Sequence, residues 1–96
     1  MVLEWSNFNG SSMLHRADGL GAVYIIAPHR TELFNHEEIT AWNIYAMNPW
    51  SSLCPINKDR AMLYRQVSTL DEAKAVAQEW DSGFIDALAV ALGEVE

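Results

Sequence analysis

The sequence predicts an α+β fold, in which a meander of four to five antiparallel β-strands precedes one long C-terminal helix packed on one sheet face. Short apolar and β-branched runs separated by turn signals fill the first two thirds of the chain, which is typical of strands joined by hairpins. The last third instead has apolar residues at steps of three and four, the period of a helix. Consecutive strands followed by a helix are typical of the α+β class.

The predicted helix begins at Thr69-Leu70-Asp71-Glu72, which has the pattern of a capping box. The Thr69 hydroxyl is placed to accept a hydrogen bond from the Glu72 N–H, and both acids suit the positive end of the helix dipole. We expect Trp80 and Phe84 to pack on the sheet against Ile25 or Ile44. The apolar stripe consists of Ala73, Val76, Ala77, Trp80, Phe84, Leu88 and Ala91.

Gly83 leaves two interpretations of this helix. The stripe keeps its phase across Gly83, which favours one helix of about 23 residues, kinked or straight, at a cost of about 1 kcal/mol for the glycine. Asp81-Ser82-Gly83 also fits a break followed by a second helix.

Strands are predicted over residues 2–8, 11–17, 22–27, 39–47 and 61–67, with Asn9-Gly10 as a hairpin turn. Residues 22–27 form the most apolar short run, which indicates a central strand covered on both faces. Pro28 is predicted to end that strand. Residues 28–38 are then expected to be a polar connection, and residues 48–60 a long loop.

Size and composition indicate one domain spanning residues 1–96. The single cysteine, Cys54, has no partner for an internal disulfide, which favours a reducing compartment. We find no secretory signal pattern and no run of about 18 apolar residues that would span a membrane. The sequence therefore predicts a cytoplasmic protein.

The net charge of −7 is concentrated at the helical end of the chain. Residues 1–69 hold six acids and five bases, whereas residues 70–96 hold seven acids and one base. An acidic surface disfavours nucleic acid and anionic membranes as direct partners. The acidity also has a simpler interpretation, which is that it keeps a small protein soluble.

Three acids, Glu72, Glu79 and Asp86, recur every seven residues and so fall on one stripe of the helix, roughly opposite the apolar stripe. Asp81 is a further candidate for this acidic face. Such a face would suit a basic, nucleic-acid-binding protein as partner. The alternative is an ordinary solvated helix surface.

Aromatic residues supply a second candidate surface. One helix covers one sheet face, so the other is expected to expose some of the aromatic residues Trp5, Tyr24, Trp42 and Tyr45. Trp42 and Tyr45 are the residues expected to bind a partner there. Trp50, beside Pro49 in the long loop, is predicted either to anchor an interface or to fold back over a sheet edge.

No catalytic, metal or cofactor site is predicted. His15, His29 and His36 lack the spacing of a zinc helix, and Gly19-Leu20-Gly21 precedes a strand where a dinucleotide loop needs a helix. Cys54 with a histidine is a conceivable nucleophile pair, but its apolar neighbours favour a small buried residue.

Part of the chain resembles small phage and prophage accessory proteins, in which a β-meander precedes a helix of the TLxEAKAxAxxW type. The matching residues are Tyr24-Ile25-Ile26, Trp42-Asn43-Ile44-Tyr45, Thr69-Leu70-Asp71-Glu72-Ala73-Lys74-Ala75 and Gln78-Glu79-Trp80. The resemblance covers about 60 residues; the connection at 28–38 and the extension from Ser82 to Glu96 depart from it. It implies a mobile-element protein, a group that includes anti-CRISPR and anti-restriction inhibitors, some of which imitate DNA with carboxylates.

Three hypotheses follow. The first is a non-enzymatic, protein-binding inhibitor or adaptor of a phage-like element, acting through the acidic helix face, the aromatic sheet face or both. The second is a homodimeric structural or assembly protein that closes the open sheet face on itself. The third is a small enzyme that uses a histidine or Cys54.

Overall fold

A computed structural model describes residues 2–8, 10–50 and 56–93, without the side chains of residues 11, 12, 33 and 85–93. The described elements are β1 (Ser6–Phe8), β2 (Ser11–Asp18), β3 (Val23–Leu33), β4 (His36–Met47), β5 (Leu63–Val67) and α1 (Leu70–Gly93). The strands form one antiparallel sheet in the order β1-β2-β3-β4-β5. The predicted α+β meander with a C-terminal helix packed on it is confirmed.

Helix α1 begins at the predicted position, with the Thr69 half of the capping box in place. The backbone N–H of Glu72 donates to Thr69 Oγ1 at 3.1 Å, and the Ala73 N–H donates to the Thr69 carbonyl at 3.1 Å. The helix continues through Gly83, so the interpretation as one helix is confirmed.

Strand β3 is the central strand and is buried on both faces in its first half. Tyr24 and Ile26 lie on the side of α1, while Val23 and Ile25 point to the opposite side. All four side chains are buried. The continuous apolar run therefore has the position that its composition predicts.

The sheet has an apolar cluster on each face. The helix-side cluster consists of Leu3, Ala17, Ala22, Tyr24, Ile26, Ile44, Ala46, Ala73, Val76 and Ala77, with Trp5, Trp42, Val67, Leu70 and Trp80 packed against it. The opposite cluster consists of Phe8, Val23, Ile25 and Met47, with Leu14, Tyr45, Ile56 and Ala61 packed against it. Ile56, within the long loop, and Ala61, directly after it, thus help to cover the second face.

The predicted packing of Trp80 and Phe84 is correct only in part. Trp80 packs against the cluster that contains Ile44, as expected, but Ile25 belongs to the opposite cluster. Phe84 is 43% exposed, and its ring lies over Gly21, where a Cβ would come within 2.7 Å of Cε2. Gly21 therefore lets the ring approach the backbone closely.

The predicted connection at residues 28–38 is wrong, because β3 and β4 extend through it to a two-residue turn. Pro28 does not end β3 but lies opposite Trp42. Strand β2 pairs with β3 only as far as Ile26, so Pro28 occupies an edge on that side and needs no N–H for a ladder. A bulge follows directly, between His29 and Arg30.

The first strand is shorter than predicted, because only Ser6–Phe8 pairs with β2. The preceding residues contact α1 instead, since the Leu3 N–H donates to Gln78 Oε1 at 2.8 Å. Among the described residues, α1 is not apolar enough to cross a membrane, and no other helix is present.

Replacing the cap tests how α1 begins. Thr69→Ala removes the acceptor of the Glu72 N–H, so we expect the free energy of unfolding to fall by about 1 kcal/mol. Urea denaturation measures this change. Ser68→Ala, at the exposed preceding position, is the matched control and should stay within about 0.5 kcal/mol of the parent. Equal stability of Thr69→Ala and the parent would contradict the cap.

Candidate protein-binding surfaces

The distal part of the β3–β4 hairpin extends beyond the rest of the sheet. We call this part the arm; it comprises residues 29–33 of β3, the turn Phe34-Asn35, and residues 36–41 of β4. Strand β2 pairs with β3 only up to Ile26, and β5 pairs with β4 only as far as Trp42, so the arm has two strands. Its described side chains are exposed except for the half-buried Thr31 and Ala41. At 3.3 Å per residue the arm is about 20 Å long.

The tip of the arm is a tight turn with an unusual residue. Phe34 and Asn35 both have positive φ angles, of 50° and 68°, as a type I′ turn requires. Asparagine tolerates this conformation, but phenylalanine has no local reason to adopt it. The Phe34 side chain is 92% exposed, so it stabilises no apolar cluster in the fold.

Charged and polar side chains form pairs across the two strands of the arm. Arg30 Nη1 lies 3.6 Å from Glu37 Oε2, and the Thr31 and Thr40 hydroxyls lie 2.9 Å apart. Glu32 and Glu37 stand directly opposite each other, a like-charge pair that opposes hairpin formation. An exposed ion pair such as Arg30–Glu37 contributes little stability, so the arm is held together mainly by the backbone hydrogen bonds between β3 and β4.

The acidic helix face is present in part. Glu72 and Glu79 are exposed on α1, as the seven-residue repeat predicts. The side chain of Asp86 lies outside the described residues, so the length of the stripe rests on the sequence. The backbone N–H of Glu72 also donates to the capping Thr69 hydroxyl, which gives the Glu72 backbone a structural role.

Asp81 is not part of that face, and its assignment to a partner surface is corrected. Its side chain is fully buried, because α1 turns it toward the loop between β2 and β3. Asp81 Oδ1 accepts the Leu20 N–H at 3.0 Å and lies 3.4 Å from the Tyr24 hydroxyl, which donates to it. A Cβ at Gly19 would overlap both the carboxylate and the Tyr24 ring, so only glycine fits there.

The surroundings of Asp81 also affect Tyr24. Burial, followed by the nearby Asp81 carboxylate and the hydrogen bond to it, raises the pKa of Tyr24 to about 12. Tyr24 therefore remains a donor at physiological pH. Asp81 Oδ2 has no hydrogen-bond partner among the described protein atoms. The contact holds the β2–β3 loop against the helix.

The two aromatic candidates in β4 lie on opposite faces of the sheet, which corrects the predicted aromatic surface. Trp42 packs on the helix side, where its ring centroid is 6.0 Å from that of His15. Tyr45 faces the other side and contacts Tyr64, with ring centroids 5.3 Å apart. Trp5 and Tyr24 are also on the helix side. Of the four aromatic residues, some of which were expected on the second face, only Tyr45 lies there, beside Tyr64.

The second face is also less open than predicted. Ile25 and Met47 are buried there. Beside them, a narrow polar strip remains at β4 and β5, where Tyr64 Oη and Gln66 Nε2 both donate to Asn43 Oδ1 at 2.9 and 3.0 Å. Burial, and then Tyr64, raises the pKa of Tyr45.

Trp50 lies at the opposite end of β4 from Phe34. Its side chain is 93% exposed, and its backbone N–H donates to Asn48 Oδ1 at 2.9 Å. It does not fold back over a sheet edge, so of the two interpretations only the interface anchor stays a prediction. With about 12 residues of β4 between them, Trp50 and Phe34 are roughly 40 Å apart.

The histidines do not form a site. His15 lies under the helix, where burial and then the positive charge of Lys74 lower its pKa, whereas His29 and His36 are exposed on the arm. Among the residues that the structure describes, no group of three or more His, Cys, Asp or Glu side chains is placed to hold a metal ion. Cys54 lies outside the described residues.

Asp81→Ala tests whether this carboxylate stabilises the fold. The substitution leaves the buried Tyr24 hydroxyl and the part-buried Leu20 N–H without their acceptor, so we expect a loss of about 1–3 kcal/mol in the free energy of unfolding. Glu79→Ala, an exposed acid on the same helix, is the control and should change stability by less than about 0.5 kcal/mol. An unchanged urea midpoint in Asp81→Ala would show that the loop does not need this contact.

Phe34→Asn combined with Asn35→Gly tests the strain at the tip. Asn-Gly is the preferred pair for a type I′ turn, so the double substitution should remove about 1 kcal/mol of backbone strain. Because local opening of the arm then costs more free energy, amide hydrogen exchange there should slow about fivefold. Exchange in β3 before Pro28 serves as the internal control and should not change. Faster exchange in the arm would show that Phe34 stabilises the turn.

Comparisons with family models, with curated proteins and with solved structures find no match to this chain. A function for the chain must therefore be inferred from its own residues. The arm, the exposed part of the acidic helix and Trp50 are the surfaces from which to start.

Proposed function

We propose that the chain is a non-enzymatic protein-binding module, an inhibitor or adaptor of the kind made by phages and related mobile elements. The observation that carries this proposal is the arm, whose exposed side chains bury no core and whose tip holds a 92% exposed phenylalanine at positive φ. A residue that breaks a local rule without stabilising the fold is expected at functional sites. An aromatic ring is also a common anchor in protein interfaces.

The acidic helix face is the second surface in this proposal. Exposed Glu72 and Glu79 can attract a basic partner over long range, which accelerates association more than it tightens binding. The resemblance of the chain to small phage proteins supports the inhibitor class and a host-cell protein as target. A basic, nucleic-acid-binding protein fits the charge of this face.

The homodimer hypothesis has less support than the sequence suggested. It depended on an open, aromatic sheet face, and the structure places Trp42 on the helix side and buries Ile25 and Met47 on the other. The enzyme hypothesis gains no support from the described histidines, since His15 is partly buried opposite Ile26 in the sheet whereas His29 and His36 are exposed on the arm.

Variants of the two exposed aromatic residues test the proposal. The immobilised parent, Phe34→Ala and Trp50→Ala are exposed in parallel to lysate of the source cells, and retained proteins are compared by quantitative mass spectrometry. We expect a protein that the parent and Trp50→Ala retain, and whose yield falls at least tenfold with Phe34→Ala. Both variants should fold like the parent, since both rings are exposed.

The same experiment can contradict the proposal. Retention that is equal for Phe34→Ala and the parent, but lost with Trp50→Ala, would assign binding to the loop. Glu79→Lys is immobilised as a further variant, and loss of the retained protein only with Glu79→Lys would assign binding to the acidic helix. No protein retained specifically by the parent would argue against a protein-binding module.

A further inference from the structure

We infer that the arm enters a recessed apolar pocket of its partner protein and that lysine or arginine side chains surround the mouth of that pocket. This inference rests on the proposed function and names the partner's chemistry. It follows from the shape of the arm, from the position of Phe34 and from the charges beside it.

The shape of the arm favours a recess over a flat surface. The arm has only two strands and extends about 20 Å past the last paired residues of β2 and β5. Its most exposed described aromatic ring is at the tip, not along either side. Burial of that ring requires the tip itself to be surrounded.

The charge beside the tip indicates which side chains surround the mouth of the pocket, which we call its rim. Glu32, Glu37 and Glu38 lie within four residues of Phe34. Arg30 is the one lysine or arginine of the arm, with its guanidinium 3.6 Å from the Glu37 carboxylate, and His36 Nε2 lies 3.1 Å from Glu38 Oε1. With the histidines neutral, the arm carries a net charge of −2. When Phe34 is buried, these carboxylates come to the mouth of the pocket, where basic side chains complement them.

The same charges decide against other occupants. A second copy of this chain carries the same net charge of −7, so association of copies through the arm is opposed by repulsion. Nucleic acid and anionic membranes repel the three carboxylates for the same reason. A protein with a basic rim is the occupant that the arm fits.

Photocrosslinking tests the position of the tip. The chain with Phe34→p-benzoylphenylalanine is expressed in the source cells and irradiated, and the crosslinked partner residue is mapped by mass spectrometry. The expected crosslink lies inside an apolar pocket of the partner with at least two Lys or Arg residues around its mouth. The same replacement at Trp50 is the matched control, and its crosslinks should map outside that pocket.

Charge removal on the arm then tests the rim with the purified partner. The variant Glu32→Gln, Glu37→Gln, Glu38→Gln should associate at least about tenfold more slowly at low salt and lose most of the salt dependence of its association rate. The control Glu4→Gln, Asp18→Asn, Asp59→Asn changes the net charge equally at exposed positions away from both the arm and the acidic helix face. Its association rate should fall less than threefold.

The outcomes separate this inference from the proposed function. A crosslink from position 34 into a neutral or acidic pocket, or equal slowing of the two charge variants, overturns the basic rim and leaves the protein-binding function standing. A crosslink between two copies of this chain would show that the arm binds a second copy, and it would overturn the inference of a different, basic partner. No crosslink from position 34 overturns the inference together with the role of the arm in binding.

Discussion

The pairing of β3 with β4 is the interaction on which the rest of the structure depends. Its first half, from Val23 to Ile26, forms the centre of the sheet and supplies buried side chains to both apolar clusters. Its second half carries the same backbone ladder out beyond β2 and β5. One hairpin therefore both organises the core and presents the arm, and the change from one role to the other occurs at Pro28 and the bulge after it.

The elements that bury apolar surface could be predicted from the sequence because burial leaves a pattern. The period of the stripe, the Thr69 cap and the apolar run at residues 22–27 each specify a local structure that the fold retains. The arm leaves no such pattern, since a ribbon exposed on both faces needs no alternation of apolar and polar residues. The polar composition of the arm therefore resembles that of a connecting loop. Pro28 also favoured that wrong assignment, although an edge strand tolerates proline.

The candidate site was only partly predictable for two different physical reasons. Side chains alternate along a strand, so Trp42 and Tyr45, three residues apart, could never have shared a face; the sequence contained this signal. Asp81 is different, because its helical position alone does not reveal that the β2–β3 loop lies over it. Gly19, where a Cβ would overlap the Asp81 carboxylate, was the trace of that approach in the sequence, while Gly21 reflects the approach of the Phe84 ring.

Under the proposed function, the arm separates binding from stability in this small domain. Apolar burial is concentrated in the two clusters around the first half of β3, whereas the described arm side chains are mostly exposed. Substitutions on the arm therefore act mainly on the arm itself, and the cost of holding Phe34 in a left-handed conformation, about 1–2 kcal/mol, remains local. If the tip binds a partner as proposed, this independence lets the sequence of the tip change with that partner while the cap of α1, the Asp81 contact and the central strand keep the fold intact.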